Sequence, residues 1–181
     1  MSDFKRIHDE SVIIDGHCDT MLFSMGQGLF SSTPKRDFFA RNDTGHIDLP
    51  RLKEGGVTCQ VMALYIEPQY KPTRSARRCL EMLDAFYGLV EESETFALAT
   101  KVQDILDVKS KGHVCGLLSI EGGEAVEGSL SVLRSFYRSG IRVIGLTWNQ
   151  RNDLADGVGE QSAKSGLTDL GISVVKEMER L

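Results

Sequence analysis

Four short apolar runs, residues 12–14, 59–66, 114–120 and 141–147, constrain this chain more than any other feature. They are continuous rather than alternating, the pattern expected of strands buried on both faces of a parallel sheet. Segments with helical spacing separate them. In 74–92, Ala76, Leu80, Leu83, Tyr87 and Val90 recur at steps of three and four and predict an amphipathic helix. Its basic residues crowd the start and its acidic ones the end, against the helix dipole, so packing must hold it. A second helix is expected over 129–138, stopped by Gly140, and a brief one from Asp48 and Pro50 to Gly55 and Gly56. Thr100 can cap a helix over 101–109. From Thr168, the residues Leu170, Val174, Met178 and Leu181 form a last apolar stripe that reaches the C-terminus.

Strand and helix alternating without a long linker predict one α/β domain over 1–181. A closed (β/α)8 barrel has eight such units and typically ~250 residues. About four units in 181 residues give the expectation of the N-terminal half of a TIM-type barrel. Half a barrel leaves its outer strands unpaired and its apolar interior uncovered. Self-association, or a complementary C-terminal half, is therefore expected. Loops concentrate in 24–47 and 151–166, and no internal repeat or low-complexity tract interrupts the pattern.

Composition narrows the partners. The net charge is −5, from 21 basic and 26 acidic residues, with no basic run, which argues against nucleic acid and against an anionic membrane surface. The first dozen residues lack an apolar core of the leader type, and no stretch approaches ~18 apolar residues. Cys18, Cys59, Cys79 and Cys115 are widely spaced and form no Cys-x-x-Cys. Reduced, mostly buried thiols in a cytoplasmic protein are the expectation.

Barrel enzymes carry their reactive groups at the C-terminal ends of the strands. That rule selects Asp15, His17, Cys18 and Asp19 after the first run, and Tyr65 and Glu67 after the second. It selects Glu121 after the third, and Trp148, Asn149 and Asn152 after the fourth. His17 and Asp19 are two apart, so on an extended strand both point to one side and can grip one divalent cation. Cys18 then faces the other way and is set aside as a ligand. His-x-Asp alone is a weak signal. Glu121 strengthens it, because a carboxylate that ends an apolar strand is costly to bury without a cation. The two glycines after it leave room for something bound. The alternative for Glu121 is a carboxylate that accepts a loop N–H. His8, His46 and His113 fall at other places and are read as surface or structural residues.

"VIIDGHCDT", "HIDLPRLKEGGVTCQVMALY", "SIEGGEAVEGSLSVLRSFYRSGIRVIGLTWN" and "GLTDLGISVVKEMERL" together resemble the membrane (renal) dipeptidases and their bacterial relatives, in order and at compatible spacing. The resemblance implies binuclear zinc hydrolases of the amidohydrolase superfamily on a (β/α)8 barrel. It implies that His17 and Asp19 hold one zinc, that Glu121 bridges to a second, and that a zinc-bridged hydroxide attacks the dipeptide carbonyl. Tyr65 matches a tyrosine at the end of the family's second strand and is a substrate-pocket residue by that likeness. Trp148 stands where the mammalian enzymes have a substrate-contacting histidine; bacterial relatives often read "LTWN", and Asn149 can supply a polar contact there.

The family's two further metal histidines, and the acid that protonates the leaving amine, have no counterpart in these 181 residues. Three readings follow from the sequence. The first is part of a zinc dipeptidase that acts on short peptides, its catalytic acid unassigned and at most one zinc well liganded here. The second is a non-catalytic metal-binding fragment or a subunit that needs a partner half. The third is a related metal hydrolase acting on another amide or ester.

Overall fold

The structure is a computed structural model that describes residues 3–25, 35–160, 162–163 and 165–181. Its strands are β1 (Ile14–Cys18), β2 (Cys59–Tyr65), β3 (Phe96–Leu98), β4 (Val114–Glu121) and β5 (Ile141–Gly145). They form one sheet in the order β1-β2-β4-β3, with β5 also paired to β4. The β1–β2 and β3–β4 pairings are parallel, with Ile14 opposite Cys59 and Phe96 opposite Val114. Helices α1 (Asp3–Glu10), α2 (Thr20–Ser24), α3 (Leu49–Glu54), α4 (Ser75–Glu92), α5 (Val102–Ser110), α6 (Leu130–Arg138) and α7 (Asp169–Arg180) connect and flank them. This is the α/β class that the apolar runs predict. No helix among the described residues is long and apolar enough to cross a membrane.

Several expectations need correction. A fifth strand, β3, was not expected; three residues are too short a run to stand out from a loop. β1 does not end at residue 14 but begins there, so Asp15, Gly16 and His17 lie within the strand. It is also exposed along most of its length, whereas a run buried on both faces was expected. In α4 the buried side chains are Ser75, Arg78, Cys79, Met82, Leu83 and Phe86, while Leu80 is 52% exposed. The apolar stripe was thus misplaced around the helix, because a buried arginine occupies its inner face.

Close packing divides the chain into two compact units: one runs up to Ala63 and includes Asp84–Leu118, the other comprises Leu64–Leu83 and Ser119–Leu181. In the first, Cys59, Ala99, Ile105, Val108 and Cys115 form a buried cluster. Phe96 meets Phe38 and Phe86 edge-on at 4.9 and 5.7 Å. Asp48 caps α3, accepting from the Arg51 N–H at 2.9 Å as the sequence predicts. The α5 cap departs from expectation: Asp104 accepts from the Thr100 N–H and hydroxyl, rather than Thr100 accepting from the helix. His8 reaches the Gly55 carbonyl at 2.9 Å, the structural role expected of it.

In the second unit, Val126, Leu133, Leu154 and Val174 make the core, with Leu170, Met178 and Leu181 of the predicted C-terminal stripe packed on it. Thr168 caps α7, accepting from the Gly171 N–H at 3.0 Å. Gly140 closes the turn after α6 with φ +97°, a conformation that favours glycine.

Candidate metal centre

β1 delivers His17 from within the strand, and Asp19 follows as the residue that starts α2, with φ −83° and ψ 22°. Strand alternation is therefore not what pairs them, since Asp19 has left the extended conformation. The turn into α2 does so instead: His17 Nε2 lies 3.4 Å from Asp19 Oδ2. Asp15 steadies this corner, its Oδ1 accepting from the His17 N–H at 3.1 Å and from the Gln60 amide at 2.6 Å. Cys18 is half-buried, and burial pushes its thiol above the ordinary range, with the Asp19 and Asp15 carboxylates adding to the effect. A thiol kept protonated is a poor ligand, in keeping with its exclusion.

Glu121 is the last residue of β4 and is followed by Gly122 at φ +93°. His17 and Asp19 belong to the first compact unit and Glu121 to the second. The set is one imidazole nitrogen and two carboxylate oxygens, the borderline-hard donors that zinc and its first-row neighbours take. Asp19 Oδ1 is shut off from water without a hydrogen-bond donor, so the His17–Asp19 corner has acceptor capacity to spare for a cation. His46 and His113 are placed elsewhere, His46 in an exposed loop and His113 just before β4, at the end of the strand opposite Glu121.

Tyr65 closes β2 and is buried. Its ring meets Trp148 edge-on, with centroids 5.0 Å apart and planes at 70°. Trp148 is half-buried, and Asn149 beside it is exposed, its carbonyl accepting from the Gly159 N–H at 2.8 Å. The Asn152 side chain is committed to the backbone, donating to the Leu146 carbonyl and accepting from the Leu154 N–H, both at 2.8 Å. It shapes the loop after β5 rather than offering a contact. Glu67 is likewise committed, clamped by Arg78 at 2.7 and 2.9 Å.

Sequence reasoning missed Lys71 and Glu124. The Lys71 ammonium lies 3.0 Å from Glu124 Oε1 and 5.6 and 6.0 Å from the ring centres of Tyr65 and Trp148. Glu124 belongs to the "EGGE" stretch already singled out for Glu121, but nothing local marks its partner, 53 positions earlier.

The family model for membrane dipeptidases (peptidase family M19) matches residues 1–181. Dipeptidase aclJ of Aspergillus oryzae is 28% identical over 192 residues, taking in 99% of this chain and 45% of that protein. Dipeptidase 3 of Mus musculus is 31% identical over 175 residues, taking in 93% of this chain and 34% of that protein. Among solved structures, dipeptidase AC, a metallopeptidase, superposes with a TM-score of 0.80 at 25% identity, over 93% of this chain and 54% of that one. A metallopeptidase from Rhodobacter sphaeroides, bound to a phosphinate mimic of the dipeptide L-Ala-D-Ala, gives a TM-score of 0.76 at 23% identity over 93% and 56%. The chain thus spans about half the length of these relatives, or less. The motif resemblance and these matches agree, and the chain belongs to the membrane dipeptidase family, peptidase family M19.

Proposed function

We propose that this chain supplies His17, Asp19 and Glu121 as ligands of a zinc centre that hydrolyses dipeptides. The observation that carries the reading is the approach of His17 Nε2 to within 3.4 Å of Asp19 Oδ2 at the end of β1, in a chain of a dipeptidase family. Bound there, a divalent cation supplies Lewis acidity, drawing charge from the peptide carbonyl and activating water for attack on it.

The chain's own residues have separable tasks. Asp15 holds the His17 backbone, so the imidazole is presented at a fixed angle. His17 binds through a neutral nitrogen, while the Asp19 and Glu121 carboxylates offset the cation's charge. Tyr65 and Trp148 form an aromatic wall that excludes water from one side of a substrate and orients it. When the C–N bond breaks, the leaving amine needs a proton, and none of the three ligands is free to give one while bound to metal. That donor, and further metal ligands, must come from outside this set. The second reading is a metal-binding subunit whose turnover needs a complementary chain to supply that donor and those ligands.

Metal analysis after zinc loading, combined with L-Ala-D-Ala hydrolysis, tests the proposal. His17→Ala and Glu121→Ala are each expected to weaken zinc binding by more than about tenfold, beyond what losing an outer-sphere partner costs. Unchanged zinc content in both variants, with the fold intact by circular dichroism, would overturn the ligand assignment. Zinc bound without turnover, and turnover restored by a complementary chain, would select the second reading.

A further inference from the structure

Lys71, Glu124, Tyr65 and Trp148 all belong to the second compact unit. The Lys71 ammonium stands 3.0 Å from Glu124 Oε1, and the two side chains are 11% and 4% exposed. The same ammonium lies 5.6 Å from the ring centre of Tyr65 and 6.0 Å from that of Trp148. Its nitrogen is closed to water. A dissolved ligand does not reach it, so Lys71 acts through the side chains around it.

A buried pair of this kind is a poor fastening. Desolvating two charges costs more than a single contact returns, and apolar side chains of similar volume are often as stable. What the ammonium does supply is attraction towards ring faces, which strengthens where water is excluded. The two rings need it unequally. Tyr65 ends β2, so the sheet fixes its backbone. Trp148 lies beyond β5, outside any strand, where its carbonyl accepts from the Val158 N–H at 3.1 Å. Edge-on and offset-stacked arrangements are both favourable for an aromatic pair. Contact between the rings therefore does not by itself select the edge-on one seen here, with centroids 5.0 Å apart and planes at 70°. Glu124, in turn, is seated where a side chain at position 122 would be, a place that glycine leaves open.

We infer that Lys71 is a positioning residue: anchored by Glu124, its ammonium holds the Trp148 ring edge-on against Tyr65. One charge thereby ties together the segments at the ends of β2, β4 and β5, and a ring carried on a loop is set without a strand beneath it. That the ring pair serves as a wall for substrate rests on the dipeptidase reading; the positioning itself does not.

Trp148 is the sole tryptophan of the chain, so the fluorescence decay and the tryptophan band of the near-ultraviolet circular dichroism report on this ring. The full chain is compared with Lys71→Met combined with Glu124→Leu, which strands no carboxylate, with Lys71→Arg, and with Tyr65→Leu. Loss of a desolvated cation–π contact shifts a ring equilibrium by about tenfold or more. One lifetime is therefore expected to dominate the wild-type decay. The double variant should split that decay and lose most of the tryptophan band, with its urea midpoint unchanged or raised. Lys71→Arg keeps the charge and should keep both signals, while Tyr65→Leu supplies the reference for a lost ring pair. Wild-type signals in the double variant, signals lost as fully in a folded Lys71→Arg, or signals that change only in step with a lower urea midpoint would overturn the positioning role. None of these readouts needs metal or substrate. Their failure leaves the ligand assignment standing, and unchanged zinc content in His17→Ala and Glu121→Ala leaves the role of Lys71 standing.

Discussion

Two charge pairs lie four residues apart in the segment after β2, and they are built in opposite ways. Glu67 and Arg78 are buried to within 1% and joined by two parallel hydrogen bonds, with the Tyr70 ring 4.8 Å from the guanidinium. Burial disfavours the Arg78 charge, yet contact with Glu67 holds its pKa above the ordinary arginine value. The planar fork of arginine fits a carboxylate in two places at once, and that fit closes the pair against any third group. Lys71 and Glu124 are almost as buried but make a single-point contact that leaves donors and acceptors over. The first pair fastens α4 to the segment after β2. The second leaves its donors and acceptors unmatched in the interior.

The contrast can be broken most sharply at Arg78. Arg78→Met strands the Glu67 carboxylate in the interior and is expected to cost about 3–5 kcal/mol in urea denaturation. A loss under about 1 kcal/mol would mean that the two pairs are not different in kind. Lys71→Met combined with Glu124→Leu should behave the other way, leaving stability unchanged or raising it by about 1 kcal/mol, because an incomplete pair gives way to apolar packing. A large loss on the same denaturation curve would show that pair to be a fastening too.

Asp48 sharpens the comparison with the smallest effect. It is fully buried, and although burial opposes its charge, the Asn42 and Arg51 N–H groups and the Arg51 side chain hold its carboxyl below the ordinary 3.8. A depressed carboxylate contributes stability above its unfolded pKa and loses it as pH falls through the folded one. Melting temperature should therefore drop in the wild type below about pH 4. In Asp48→Asn that component of the drop should be missing, so the two proteins converge in acid and separate towards neutrality. Parallel curves throughout would remove Asp48 from the set of satisfied charges.

The sequence made some of this legible and hid the rest for physical reasons. Helix starts with a local signature, such as Asp48 before Leu49 and Thr168 before Asp169, were readable because cap and helix are adjacent. The places of His17 in β1 and of Glu121 at the end of β4 were readable because short apolar runs mark where strands lie. The α4 stripe was misread because Arg78 faces inward, and only Glu67, eleven residues away, makes that tolerable. The pairing of His17 with Asp19 was anticipated for the wrong reason, since it was assigned to strand alternation and the strand ends at Cys18. Lys71 was invisible, because nothing in its own neighbourhood signals a carboxylate 53 positions later.

The Glu124 side chain folds back over Gly122, where a methyl group would collide with its carboxylate. One glycine thus stands between two carboxylates, following Glu121 and lying under the side chain of Glu124. Spacing in this four-residue segment should consequently be less forgiving than identity: an inserted residue would throw both acids out of alignment together, whereas replacing Glu124 would disturb one alone. For anyone moving this segment to another scaffold, the transferable part is the whole Glu-Gly-Gly-Glu cassette.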